Sequence, residues 1–216
     1  LTSAYSRPLV FFGEGEMGLL PNNVPVNVSV AAWSWGAYLV DEAGNKGVKV
    51  CISKLKRIRP ERFIPTAKGV GGYMNSTLAK IDAVNNGYDD AIMFGDGDVV
   101  AEGSGQNLFL IKNSKITTPP IETGALGGIT RRTAIEIASN LGYETMEQNI
   151  SKEDLLNADE LFFTGTATEV IGVVSVDGKD IGTGSPGIIT NAIRNNYLEI
   201  VNGNDPISEN YLTLVK

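Results

Sequence analysis

Glycine supplies 25 of the 216 residues, and the glycines fall in clusters between apolar runs. Such a chain must turn often and bring its backbone close to other backbone or to a ligand. Between the clusters the hydrophobic period changes. Residues 7–12, 24–32 and 48–53 are short apolar or alternating runs, as in strands. Met74, Leu78, Ile81 and Val84 recur at the spacing of one helix face, and Asn85-Asn86-Gly87 reads as the end of that helix. Strand-like runs resume at 90–94, 107–111 and 115–117. A second helix is expected over 130–140, with Thr130 as N-cap and Gly142 just past its end. Ser151 and Asp154 open a short helix, 160–164 reads as a buried strand, and 188–200 as the last helix. Strand groups interrupted by isolated helices predict an α+β fold in preference to a doubly wound α/β sheet. The basic, proline-containing stretch 54–65 reads as solvated surface.

Charge and residue usage narrow the chemistry. A net charge of −7 argues against non-specific nucleic-acid binding, which needs a basic surface. No apolar run approaches a membrane span and no signal peptide is visible, so no membrane partner is expected. The single cysteine, Cys51, cannot form an internal disulfide; it reads as a small buried hydrophobe in a strand, and a reducing cytoplasm is the default setting. There is no histidine, which excludes Ser-His-Asp and Cys-His machinery and His-ligated metal sites; no metal is expected. Catalysis must then use Lys, Tyr, carboxylates, hydroxyls or a cofactor. The chain begins Leu1-Thr2-Ser3, without methionine.

Five stretches carry groups suited to such chemistry. In Ile64-Pro65-Thr66-Ala67-Lys68-Gly69-Val70-Gly71-Gly72-Tyr73, a lysine in apolar surroundings beside glycines could attack a carbonyl, or it could be an exposed loop lysine. In Ala101-Glu102-Gly103-Ser104-Gly105-Gln106-Asn107-Leu108-Phe109, the carboxylate could hold a proton on a pyridine nitrogen, or it could sit solvated on a hairpin turn. Gly127-Gly128-Ile129-Thr130 leads into a helix N-terminus, where phosphate binds well, although an ordinary capped helix reads the same way. This glycine spacing is neither a Rossmann fingerprint nor a P-loop. Thr164-Gly165-Thr166-Ala167-Thr168 ends a strand with small residues able to bind a second anion, or simply to turn. Tyr5, Trp33, Trp35 and Tyr38 near Arg7 suit a substrate with an apolar end and a carboxylate, and core packing accounts for at least Trp33. A pyridoxal 5'-phosphate (PLP) enzyme needs a lysine, a pyridinium partner and a phosphate cup together, so the conjunction weighs more than any one stretch.

Taken in order, Tyr5-Ser6-Arg7-Pro8-Leu9, Trp35-Gly36-Ala37-Tyr38, Pro65-Thr66-Ala67-Lys68, Gly72-Tyr73-Met74-Asn75-Ser76, Glu102-Gly103-Ser104-Gly105-Gln106-Asn107-Leu108-Phe109, Gly128-Ile129-Thr130-Arg131 and Gly165-Thr166-Ala167-Thr168-Glu169 resemble branched-chain amino acid aminotransferases, PLP enzymes of class IV (fold type IV). The resemblance runs from about residue 5 to residue 197. It implies an α+β, D-amino-acid-aminotransferase-like large domain, with residues 1–40 as the end of an N-terminal region and interdomain segment and 41–216 as the PLP-binding domain. It also implies a smaller N-terminal domain ahead of Tyr5, to which no part of residues 1–216 is expected to correspond, and a cytoplasmic homodimer.

The resemblance implies roles as well. Lys68 would carry PLP as a Schiff base and move the proton at the substrate α-carbon. Glu102 would pair with the pyridine nitrogen, Tyr73 with the phenolic oxygen, and Leu126 would pack on the ring. Ile129, Thr130 and Thr166 would hold the phosphate. Tyr5, with the backbone at Thr166 and Ala167, would bind the α-carboxylate, Arg7 the distal carboxylate of glutamate, and Leu19, Trp35 and Tyr38 the apolar side chain. The expected reaction is transamination of Leu, Ile or Val with 2-oxoglutarate, the partners being amino acids and 2-oxo acids. Alternatives on the same fold are an aminodeoxychorismate lyase, a D-amino-acid or (R)-amine aminotransferase, and an inactive PLP-binding remnant. The family usually has proline before the glycine of the phosphate cup, where this chain has Gly127.

Overall fold

The computed structural model describes residues 4–35, 39 and 46–213. The chain divides into two compact units, Leu1–Ala37 and Tyr38–Lys216. In the first, β1 (Tyr5–Phe12) and β2 (Val26–Trp33) form an antiparallel pair with Tyr5 opposite Trp33 and Phe12 opposite Val26. The Tyr5 ring lies 5.2 Å from that of Trp33 and 4.8 Å from that of Trp35, so the half-buried Trp33 packs within this aromatic group.

The second unit is α+β. Its strands are β3 (Val48–Ile52), β4 (Asp90–Phe94), β5 (Val100–Gly103), β6 (Asn107–Lys112), β7 (Lys115–Thr118), β8 (Thr145–Glu147), β9 (Glu160–Gly165), β10 (Glu169–Val176) and β11 (Lys179–Asp180). They form one mixed sheet in the order β5-β4-β3-β10-β9-β6-β7-β8, with β11 paired to β10. The helices are α1 (Tyr73–Asn85), α2 (Ile129–Asn140), α3 (Lys152–Leu156) and α4 (Ile188–Val201). Both faces of the central strands are covered, which is why they read as continuous apolar runs without alternation. Leu108, Leu161, Phe163, Ile171 and Val173 pack with Leu155 of α3 in one core cluster. Phe109, Phe162 and Val170 pack with Ala134 and Ile137 of α2 and Ile193 and Tyr197 of α4 in another, where the rings of Phe109 and Phe162 stack at 4.7 Å.

Three sequence expectations need correction. The apolar row Met74, Leu78, Ile81 and Val84 does mark a helix, but that face is exposed. It is Ser76, Ala79 and Ala83 that are buried, and the two alanines pack on Ala91 and Met93 of β4, because small residues let α1 approach the sheet closely. Thr130 is not the N-cap of α2; Gly128 is (φ −67°, ψ 144°), and Thr130 is the second helical residue. Strand β10 was not expected. Its apolar run is broken by Gly172, and glycine is needed there because Pro186 lies 2.9 Å from where a Cβ would stand. Cys51 does lie on a strand, β3, but is only half-buried.

The inverted face of α1 can be tested. Ala83, which is 0% exposed, has no room for a larger side chain, so Ala83→Leu should cost about 1–3 kcal/mol by overpacking. Urea unfolding measures this, and an unchanged midpoint would take Ala83 off the core face.

Candidate active site

Lys68 ends a short 3-10 turn, Pro65–Ala67, with left-handed backbone (φ 50°, ψ 34°). For a non-glycine residue this conformation costs about 1–3 kcal/mol and persists only where the surroundings hold it. Here the Lys68 N–H donates to the Pro65 carbonyl over 3.1 Å. A second 3-10 turn, Val70–Gly72, runs directly into α1, whose first residue is Tyr73. The Phe63 ring packs 2.6 Å from where a Cβ on Gly72 would stand, so the turn needs glycine there. These two turns bring Lys68 Nζ to 3.1 Å from Tyr73 Oη. Contrary to the apolar surroundings expected for its amine, Lys68 is exposed, because it sits on a loop that no strand covers.

Glu102, the third residue of β5, is 3% exposed and does not sit on a solvated turn. Its Oε1 pairs with Arg57 Nη2 at 2.8 Å. Its Oε2 accepts the Leu126 N–H at 3.0 Å and Asn107 Nδ2 at 3.1 Å. Burial pushes the Glu102 carboxyl above the usual carboxylate range, while the Arg57 charge, the Leu126 N–H and the charges of Lys68 and Arg131 pull it back. The Lys68 charge is thus among those that act on Glu102.

Arg57 is the residue that sequence reasoning missed. The stretch 54–65 was expected to be solvated, and Lys56, paired with Asp98 at 2.7 Å, fits that description. The Arg57 side chain, only 12% exposed, turns inward instead. Besides Glu102 it donates from Nη1 to Ser76 Oγ of α1 at 2.6 Å and from Nε to the Gly124 carbonyl at 3.3 Å. The available signal was indirect. A buried carboxylate calls for a cation, but a basic run does not say which of its members supplies it.

Asn107, the first residue of β6, donates from the same Nδ2 to Glu102 and, at 2.7 Å, to the Leu126 carbonyl. Leu126 is half-buried, its N–H bonded to Glu102 and its carbonyl to Asn107. A Cβ on Gly128 would fall on the Asn107 side-chain oxygen, so glycine lets the start of α2 approach Asn107. Nothing lies within 4 Å of a Cβ placed on Gly127. No side chain caps α2, leaving its first N–H groups available to an anion. Ile129 is exposed there, and Thr130 is buried. Thr166 and Ala167 stand in the turn between β9 and β10, Thr166 exposed and Ala167 half-buried.

The remaining expected site residues belong to the first unit. Tyr5 and Arg7 lie on β1, Leu19 is fully exposed in the connection to β2, and Trp35 follows β2 at 44% exposure. Tyr38 lies outside the described residues.

Residues 1–176 match the family model described as amino-transferase class IV. The branched-chain-amino-acid aminotransferase of Pseudomonas aeruginosa is 43% identical over all of this chain, which spans 70% of that protein. The Escherichia coli K12 enzyme of the same name is 40% identical over 94% of this chain, which spans 66% of it. The crystal structure of the E. coli branched-chain amino acid aminotransferase superposes with a TM-score of 0.96 at 39% identity, covering 100% of this chain and 71% of that one. That of the T.th. branched-chain amino acid aminotransferase complexed with N-(5'-phosphopyridoxyl)-L-glutamate gives 0.91 at 42% identity, covering 99% and 69%. The matches run through every stretch described above, and the chain belongs to the class IV aminotransferases and, among them, to the branched-chain amino acid aminotransferase family.

Proposed function

We propose that this chain transaminates leucine, isoleucine and valine with 2-oxoglutarate, using pyridoxal 5'-phosphate held at Lys68. The observation that carries the reading is the presence of two features together: the Lys68 amine at 3.1 Å from the Tyr73 hydroxyl, and the buried Glu102 carboxylate held by Arg57, on which the Lys68 charge also acts. The relative complexed with N-(5'-phosphopyridoxyl)-L-glutamate supports both the cofactor and glutamate as the amino-group partner.

The residues present fit the cofactor. Glu102 Oε2 accepts two N–H bonds, whereas Oε1 faces Arg57 alone and has acceptor capacity left for a pyridinium N–H. The uncapped, glycine-led start of α2, with Ile129 and Thr130, offers N–H groups to a phosphate, and Thr166 adds a hydroxyl from the β9–β10 turn. Leu126, tethered to Glu102, offers an apolar surface for the ring. Bound there, pyridoxal phosphate supplies a ring that takes up the electron pair of the substrate's α C–H bond.

This chain's own residues do the rest. Lys68 anchors the cofactor and moves the proton at the α-carbon. Tyr73 orients the Lys68 amine through its hydroxyl and bonds the ring's phenolic oxygen. Glu102 holds the proton at the pyridine nitrogen, and the Arg57 charge opposes the rise that burial imposes on Glu102. Tyr5, with the Thr166 and Ala167 backbone, receives the α-carboxylate. Arg7 receives the distal carboxylate of glutamate, and Leu19, Trp35 and Tyr38 the apolar side chains.

On this reading residues 1–40 close an N-terminal region and 41–216 form the cofactor domain. We place the protein in the cytoplasm as a homodimer. Among the described residues no helix is long and apolar enough to cross a membrane, and the exposed row Met74, Leu78, Ile81 and Val84 supports self-association.

Incubation with pyridoxal phosphate followed by borohydride should leave the cofactor's mass on the peptide containing Lys68, and Lys68→Ala should lose both the label and turnover. A protein that stays colourless and unlabelled would be a remnant without this activity. Arg7→Ala should raise KM for glutamate while leaving that for leucine nearly unchanged; steady-state kinetics with each substrate would expose equal losses as a mistaken role. Arg57→Gln leaves the Glu102 charge buried and unpaired, and should destabilise the fold by about 3–5 kcal/mol at neutral pH. The Glu102 carboxyl, already raised by burial, is then raised further. The loss is therefore largest above this raised value and shrinks on acidification through it as the carboxyl takes up a proton, being smallest below the unfolded value of about 4.3, where Glu102 is mostly neutral in both states. Denaturant midpoints across this range would settle the sign, and a loss independent of pH would mean that Arg57 acts mainly through Ser76 and Gly124.

A further inference from the structure

Asp90, the first residue of β4, is 0% exposed and has no part in the chemistry proposed above. Its carboxylate is saturated by four donors. Oδ1 accepts the Ala91 N–H at 2.7 Å and Ser104 Oγ at 2.5 Å. Oδ2 accepts Gln106 Nε2 at 3.0 Å and Lys80 Nζ of α1 at 2.9 Å. Lys80 Nζ also donates to the Asp89 carbonyl.

Ser104 and Gln106 both lie in the turn that joins β5 to β6. The turn is braced internally as well. The Gly103 N–H donates to the Gln106 carbonyl at 2.7 Å, and the Gly105 N–H donates to Gln106 Oε1 at 3.0 Å. A Cβ on Gly103 would meet Gln106 Oε1 at 2.6 Å and the Phe163 ring at 3.1 Å. Glu102 stands two residues before this turn and Asn107 directly after it, and these two share the 3.1 Å bond at the centre of the site. On its other side Asp90 holds, through Lys80, the helix that begins with Tyr73.

A buried ion pair rarely adds net stability over well-packed apolar residues of similar size. An apolar side chain could fill this place in β4, but it could not accept from Ser104, Gln106 and Lys80 together. We propose that Asp90 is a positioning residue: by fixing the β5–β6 turn it sets the separation of Glu102 and Asn107, and so the aim of the carboxylate that receives the pyridine nitrogen. The ligand it serves rests on the function proposed above.

The test uses Asp90→Asn and Ser104→Ala in the full chain. In the cofactor-free protein, the amide resonances of the Leu126 backbone and the Asn107 side chain report directly on the Glu102 oxygen to which both donate. Both should move in each variant, Ser104→Ala showing the smaller displacement because it removes one bond. Titration with pyridoxal phosphate should then show roughly tenfold weaker binding for Asp90→Asn, and kcat should fall by roughly ten- to a hundredfold with KM for leucine within about twofold. A purely structural role would lower the melting temperature and leave both resonances and the cofactor affinity in place, and that result would overturn the proposal. If Asp90→Asn fails to fold, Ser104→Ala decides, because it keeps the carboxylate and its ion pair. An unsubstituted protein that takes up no cofactor would sink the proposed function, while the resonances would still decide the role of Asp90.

Discussion

The pair between Arg57 and Glu102 is the interaction on which the rest of the site depends. Burying a carboxylate is unfavourable unless a cation and hydrogen bonds compensate it. Here three elements converge to do so: the segment after β3 brings Arg57, the loop before α2 brings the Leu126 N–H, and β6 brings Asn107. Arg57 also holds α1 through Ser76 and the 124–128 loop through the Gly124 carbonyl. The same guanidinium therefore sustains a buried charge and ties down the segments from which Tyr73 and Leu126 project.

The sheet supports this arrangement. Its central strands are covered on both faces, by α2 and α4 on one cluster and α3 on the other. That rigid core puts the chemistry at its margins, in the turn before α1, at the end of β5, at the start of α2 and in the turn after β9. Glycine is required where these margins crowd. At Gly72 it makes way for Phe63, and at Gly128 for Asn107. A static framework with closely packed, glycine-lined loops suits a flat cofactor that must be held from several sides.

Lys68 and Glu102 stood out because each lies in a distinctive short stretch, and the Lys68 charge is among those that act on the buried Glu102. Arg57 was hidden among Lys54, Lys56, Arg59 and Arg62, since a basic run carries no mark of which side chain turns inward. The period of α1 was legible and which of its faces is buried was not. Apolar spacing says that one face is distinct, but the sheet selected Ala79 and Ala83 because close approach demands small residues. Thr130 looked like a cap by residue type, yet Gly128 took that place because Asn107 leaves no room for a side chain there.

The sequence by itself determined the fold class and the family and singled out the candidate reactive groups, because these rest on residue types in fixed local order: an amine after Pro-Thr-Ala, an acid before Gly-Ser-Gly, and glycines before a helix. Only the tertiary structure decided which cation meets the buried acid, which face of α1 is hidden, and how Asp90 binds the turn beside Glu102. Those outcomes depend on groups brought together by the fold, such as Asp90 with Ser104, 14 residues apart, and Arg57 with Glu102, 45 apart, where burial and hydrogen-bond saturation, and not local spacing, select the partner.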